Sequence, residues 1–416
     1  MIYIRGNKLK LIIMTNSNRL FYGSCFALIT TAFSFSIRAG ILPQLAETFS
    51  LSGQQLGFIN SMWFLGFPIS MILGGLFYHT IGPKKIMQFA FLTHTLGIVL
   101  TIFSGGYTGL LVSTLLIGIG NGCTEAACNP MIADANEGKR MNTLLNRFHM
   151  WFPGGIVLGS LISLLMTSLD LGWQAQIWVI MIPTLIYVYL FFGQEFPKPK
   201  MEKVASIGEN FKAMLTPLYL FILGCMALTA ISEFGPQQWT TLILDNSGAH
   251  PMVILALITG LMAIGRYFGG DIVSKFDQTG VLLGSAILTA IGIFLFSTQT
   301  GEMVYVAAIF FALGVCYFWP NMIGFVAEKI PLSGALGMSI VGGMGMFSTS
   351  IFQTIIGGWI DSSTAEQEAL GLTGTALDLA AGQQTLTNMV SFPVILIVLF
   401  TILYLWQRNA KSTEAV

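Results

Sequence analysis

At 416 residues, 54% of them hydrophobic and only 9% charged, against about 25% charged in soluble domains, the chain excludes a water-soluble globular fold and reads as an integral membrane protein. Its 19 basic and 19 acidic residues cancel, which leaves no electrostatic footprint for nucleic acid. Cys25, Cys123, Cys128, Cys225 and Cys316 all fall in apolar runs and the histidines His79, His94, His149 and His250 are scattered, so no disulfide framework, metal site, cofactor or enzymatic centre is expected.

Residues 1–19 form a polar N-terminus whose one apolar run, Leu11 to Met14, is too short for a signal-peptide core. Apolar runs of about 20 residues then predict helices over 20–43, 55–78, 85–104, 108–132, 141–168 and 173–194, a first bundle of six spanning 20–194. The proline-punctuated segment 195–213, containing FPKPKMEK, reads as a linker. Six more helices follow, over 214–243, 251–273, 279–298, 303–326, 333–359 and 387–407, making a second bundle over 214–407, with 361–386 read as a polar loop open to partial helix and 408–416 as a tail.

Of the 19 lysines and arginines, all but Arg38, Arg147 and Arg266 fall on one side of this twelve-helix arrangement. The opposite loops carry acids instead, among them Glu47, Asp170, Asp245 and Asp361. The positive-inside rule then puts both termini in the cytoplasm of a bacterial-type inner membrane. An internal repeat is also visible at an offset of 195 residues: Gly74-Gly75 followed by His79 and Gly82 matches Gly269-Gly270 followed by Ser274 and Asp277, and Arg38 superposes on Glu233.

Charge inside an apolar helix is costly and marks a cavity or a pair, so Arg38, Arg147, Arg266, Glu125 and Glu233 are the residues to explain. Asn121, Glu125 and Asn129 stand at four-residue steps and make one polar stripe, with Gly118 and Gly122 admitting a close neighbour. Thr30, Ser34 and Arg38 make another, and Thr229, Glu233 and Gln237 a third. Each stripe is expected to line a central cavity, where an Arg38–Glu233 ion pair between the halves is the structural alternative. Arg147 and His149 are about 200° apart on a helix, so one of them is expected to reach the cavity, and His149 is the candidate. Trp239, Trp319 and Asn321 complete the expected solute-binding set, with packing as the alternative role for each aromatic. Arg266 lies near the end of its helix, where it can bridge to a neighbour or take part in gating.

Two six-helix halves with GGLFYHTIGPKK after the second helix and a weaker copy, GGDIVSKFDQTG, after the eighth resemble the major facilitator superfamily. The resemblance implies an all-α fold of twelve transmembrane helices in two pseudo-symmetric bundles. It also implies gating roles for Gly75, His79, Gly82, Lys84, Arg266 and Asp271, although His79 stands where that family has aspartate and Pro83 where it has a basic residue. Glu125-Ala-Ala-Cys-Asn129-Pro130 is similar to the fourth-helix motif of the fucose–proton symporter group, with Ala39 where that group carries an acid. This implies a proton-coupled, alternating-access transporter of a small polar solute, first a sugar, with Glu125 and Glu233 as proton carriers. An anionic solute held by Arg38 and a non-transporting nutrient receptor are the alternatives. The expected partners are the solute, protons and the lipid bilayer, and a cavity between two halves of one chain suits a monomer.

Overall fold

The computed structural model describes residues 2–4, 9–11, 16–136, 144–145, 147–198, 207–267 and 269–414. Apart from a small antiparallel pairing of Ile2–Ile4 with Leu9–Leu11, the described chain is helical. The first half comprises α1 (Asn16–Phe49), α2 (Gly53–Ile102), α3 (Tyr107–Ala135), α4 (Trp151–Ser168) and α5 (Trp173–Phe191). The second comprises α6 (Ile207–Met214), α7 (Pro217–Gln238), the single turn α8 (Thr240–Ile243), α9 (Pro251–Tyr267), α10 (Gly269–Thr298), α11 (Met303–Val315) and α12 (Phe318–Lys329). It closes with α13 (Gly334–Ala369), α14 (Gly374–Met389) and α15 (Ser391–Glu414).

Ten helices among the described residues are long and apolar enough to cross a membrane. Gly82, at φ 76°, breaks α2 into two arms, and Pro251–Tyr267 is a shorter apolar helix. Counting both arms and the short helix, every one of the twelve predicted segments is occupied by helix. The polar stretch 361–386, where partial helix was an open option, is mostly helical: α13 runs on to Ala369 and α14 starts at Gly374, so the loop shrinks to 370–373. That stretch is polar because it outruns the apolar part of the helix, and its alanines, glutamines and glutamates are good helix formers. The second part of the predicted linker is likewise helical, as α6.

Gly118 and Gly122 are small because α3 lies directly on α2. A Cβ on either would collide with the backbone oxygen of Trp63 or Phe67. The two halves meet along α2 with α13, α4 with α9, and α1 with α7 and α8. Hydrogen bonds joining the halves lie toward the end remote from the termini. Asp361 accepts from the Gly53 and Gln54 amides at 2.6 and 2.8 Å, Ser61 Oγ lies 2.8 Å from Thr354 Oγ1, Ser350 Oγ donates to the Ser61 carbonyl at 2.9 Å, and Thr241 Oγ1 donates to the Ala39 carbonyl.

The backbones approach there without side chains between them: a Cβ at Gly57 would strike the Gln353 carbonyl oxygen, and one at Gly357 that of Gly53. The start of α2 is closed off completely. Ser52 and Gln55 form a capping box, and the Asp361 carboxylate takes the two amides that box leaves over. The remote end of the seam is therefore shut.

Candidate functional site

Arg38 stands on α1 where the two halves touch. It is buried at 5% exposure, its Nη2 donates to Gln238 Oε1 on α7 at 3.1 Å, and its guanidinium carbon lies 5.3 Å from the centre of the Trp63 ring. Gln238 is fixed in turn, since its Nε2 donates to the Phe35 carbonyl at 3.1 Å. Among the described residues Arg38 makes no salt bridge, and its Nε has no hydrogen-bond partner. A small cavity between Arg38, Ser34, Ile59, Thr114 and Ile177 admits water and nothing the size of a sugar. The Arg38–Glu233 pair, the structural alternative raised by the sequence, is not formed.

Glu233 is neutralised within its own half. Its Oε1 lies 3.7 Å from Arg266 Nη2, near enough for Coulomb attraction though long for a hydrogen bond, and Arg266 Nε donates to the Cys316 carbonyl at 3.1 Å. Arg266 therefore reaches inward to bridge α9 to α7 and α11. Helical rise puts Glu233 roughly 7 Å closer to the termini than Gln238.

The other acid, Glu125, is half-buried and accepts from Asn129 Nδ2 at 2.5 Å. No salt bridge neutralises it among the described residues. Asn121, the third member of that stripe, does not face an open cavity and is completely buried. It donates to Ser34 Oγ at 3.2 Å, and its Oδ1 lies 2.9 Å from His94 Nε2. His94 Nδ1 in turn meets the Tyr187 hydroxyl at 3.2 Å, and the Trp63 indole donates to Ser34 at 2.9 Å. The stripes of Asn121 and Ser34 therefore meet each other inside the first half, in a chain running from Tyr187 to the indole under Arg38. Since Asn121 and Ser34 are level, and each charged residue lies four positions beyond, Glu125 sits roughly 12 Å nearer the termini than Arg38.

An aromatic layer crosses the seam beside this chain. Phe35 lies 5.9 Å and Phe64 5.8 Å from Phe234, which is 6.3 Å from Trp319. Trp319 is partly buried and packs on Gly342 and Gly345, while Asn321 is buried with its Nδ2 unpartnered. Trp239 is fully buried, also with an unpartnered indole nitrogen. Gln237 departs from expectation: it points at Met262 Sδ, 3.8 Å away on α9. Its neighbour Gln238 makes the inter-half contact, because one residue turns a helix by 100° and the four-residue stripe through Glu233 selects the wrong face.

Arg147 and His149 are both exposed, where His149 was expected to reach a cavity and Arg147 a neighbour or headgroups. Among the described residues His149 meets the Phe148 ring, at 5.0 Å. At the outer turn of α2, Gly75 has open space around it, Gly82 makes the break, and His79 and Lys84 are exposed. The side chain of Asp271 lies outside the described residues. Sequence reasoning missed Gln238, His94, Phe64 and Phe234. Only Gln238 had a signal, as the second of two glutamines in an apolar helix.

The sequence profile of the Major Facilitator Superfamily matches residues 24–353. The hexuronate transporter of Bacillus subtilis is 26% identical over 42% of this chain, a match that spans 41% of that protein. The L-fucose-proton symporter of Escherichia coli is 25% identical over 77% of this chain and 80% of its own length. Among solved structures, a bacterial homolog to the human lysosomal transporter Spinster superposes with a TM-score of 0.77 at 16% identity, covering 94% of this chain and 97% of that one.

Proposed function

The chain belongs to the major facilitator superfamily, and from that premise we propose that it is a proton-coupled symporter of a small hydroxylated carboxylate, a sugar acid by class. The observation that carries this reading is Arg38, a buried cation at the contact of the two halves with no acid beside it among the described residues. A buried charge without a counter-charge is costly, and a solute carboxylate supplies one through charge-assisted hydrogen bonds to the unpartnered Nε and the Nη edge. Likeness to a hexuronate transporter supports the same solute class.

Glu233 is offset by Arg266, so Glu125 is the acid left to carry a proton. It lies toward the end of the seam nearer the termini, where protonation removes a charge that would otherwise oppose an anionic solute on its way past. The basic residues put both termini in the cytoplasm of a bacterial-type membrane. With that orientation the shut end is extracellular, in one of the two states that alternate as the halves rock about the site. The whole seam lies within one chain, which suits a monomer.

A neutral sugar is the second reading, favoured by the Glu125 to Pro130 motif and by the fucose-symporter relative. Proteoliposome uptake of D-galacturonate and L-fucose, with and without an inward proton gradient, separates the two. Gradient-driven uptake of the acid, lost in Arg38→Gln, is expected. Uptake of fucose alone, with Arg38→Gln retaining it, overturns the acid assignment.

A further inference from the structure

Two amides in the shut end of the seam have nothing to bond among the described residues. Asn60 on α2 and Gln353 on α13 are both completely buried, and all four of their side-chain polar atoms lack a hydrogen-bond partner there. Nearly all buried polar groups in folded proteins are paired, so four orphaned atoms on two facing helices call for an explanation.

Their placement supplies one. The two helices touch along Gly57 with Gln353 and Ser61 with Ser350 and Thr354, so Asn60 and Gln353 belong to the same level of the seam. Phe58 and Ile351 are each exposed, and each precedes its amide by two residues, a turn of about 200°. Both amides thus point away from the lipid side and toward the molecular axis. One turn further along the same face of α2, Phe64 packs on Phe234 of α7, and Ile356 of α13 packs on Gly235. Both faces therefore converge on the stretch of α7 that leads to Gln238 and Arg38. Ile59, next to Asn60, lines the cavity beside Arg38.

We propose that Asn60 and Gln353 form a polyol subsite that takes the hydroxyl groups of the solute whose carboxylate Arg38 holds; the inference rests on the carboxylate reading for its substrate class. An amide offers donors and an acceptor together, which matches hydroxyls that both donate and accept. In the solute-free seam these atoms are buried without partners. A bound polyol supplies them, so closing over a loaded site is favoured relative to closing over an empty one. Discrimination follows the same logic: a carboxylate lacking hydroxyls leaves the amides unpaired and gains nothing from them.

The test uses the full chain purified in detergent, with Asn60→Leu and Gln353→Met as near-isosteric variants. Solute-free melting temperature should hold or rise, since apolar groups replace unpaired amides. A fall of more than a few degrees means that buried water already satisfies them and overturns the proposal. D-galacturonate binding should weaken at least tenfold in each variant while benzoate binding stays as in the wild type. Equal loss of both acids, or loss of neither, overturns it. If the wild type binds neither acid, the carboxylate reading has failed by itself. L-fucose then takes the place of galacturonate with the same tenfold expectation, unaltered fucose binding overturning the subsite. If fucose is not bound either, the melting comparison alone decides.

Discussion

Arg38 and Glu233 fall 195 residues apart, at matching places of the repeat read from the sequence, and carry opposite charges, yet their surroundings differ. Glu233 finds its counter-charge inside its own half, at Arg266 on a neighbouring helix. Among the described residues Arg38 finds dipoles and a π-face: the Gln238 amide from the opposite half and the Trp63 ring beneath it. The buried acid Glu233 of the second half needs nothing from the first. The first half is left with one buried cation at the seam and one unneutralised acid, Glu125, nearer the termini. A repeat that looks symmetric in sequence has thus divided its labour, one copy building a rigid internal pair and the other keeping its charge available.

That asymmetry can be broken at each member. The largest effect is expected from Arg38→Gln, with uptake of D-galacturonate into proteoliposomes falling at least a hundredfold and Arg38→Lys recovering only part, since a lysine cannot present a planar pair of donors. Glu125→Gln is expected next in size. Gradient-driven accumulation should vanish while exchange of internal for external solute persists, and loss of both would show that Glu125 holds the structure and does not carry the proton. Glu233→Gln should be a stability mutation, leaving Arg266 without its partner and costing about 1–3 kcal/mol by denaturant or thermal unfolding. Adding Arg266→Gln should recover much of that loss, whereas additive losses would mean the pair is not coupled. The smallest change is expected from Asp361→Asn. It weakens the two bonds at the start of α2 by about 1 kcal/mol, enough to shift spin-label distances across the shut end toward a wider population without abolishing uptake.

How much of this could be read from sequence depends on what fixed each feature. The hydrocarbon thickness imposes runs of about 20 apolar residues, and those runs located the twelve helical segments. Gly118 and Gly122 announced a close helix contact by their spacing, and α2 fills it. Polarity overstated the loop within 361–386, because leaving the membrane does not end a helix. Side-chain partners were the least legible. Periodicity says which residues share a stripe, whereas what faces that stripe is set by helix rotation and by the seam. Asn121 was read toward a cavity when it bonds Ser34 and His94, and Arg266 joins Glu233 across a distance in sequence that no spacing rule covers. The unpaired amides of Asn60 and Gln353 are invisible without coordinates, since an orphaned atom is defined by its neighbours.

The burial of every thiol gives the molecule a practical property. Cys25, Cys123, Cys128, Cys225 and Cys316 are all free and all buried, so the native protein offers maleimides little to react with. A single cysteine placed at Ser350, buried in the shut seam against Ser61, becomes reactive when that seam parts, without prior removal of the others. Its alkylation rate then serves as a running clock of how often the shut end opens, measurable in intact membranes.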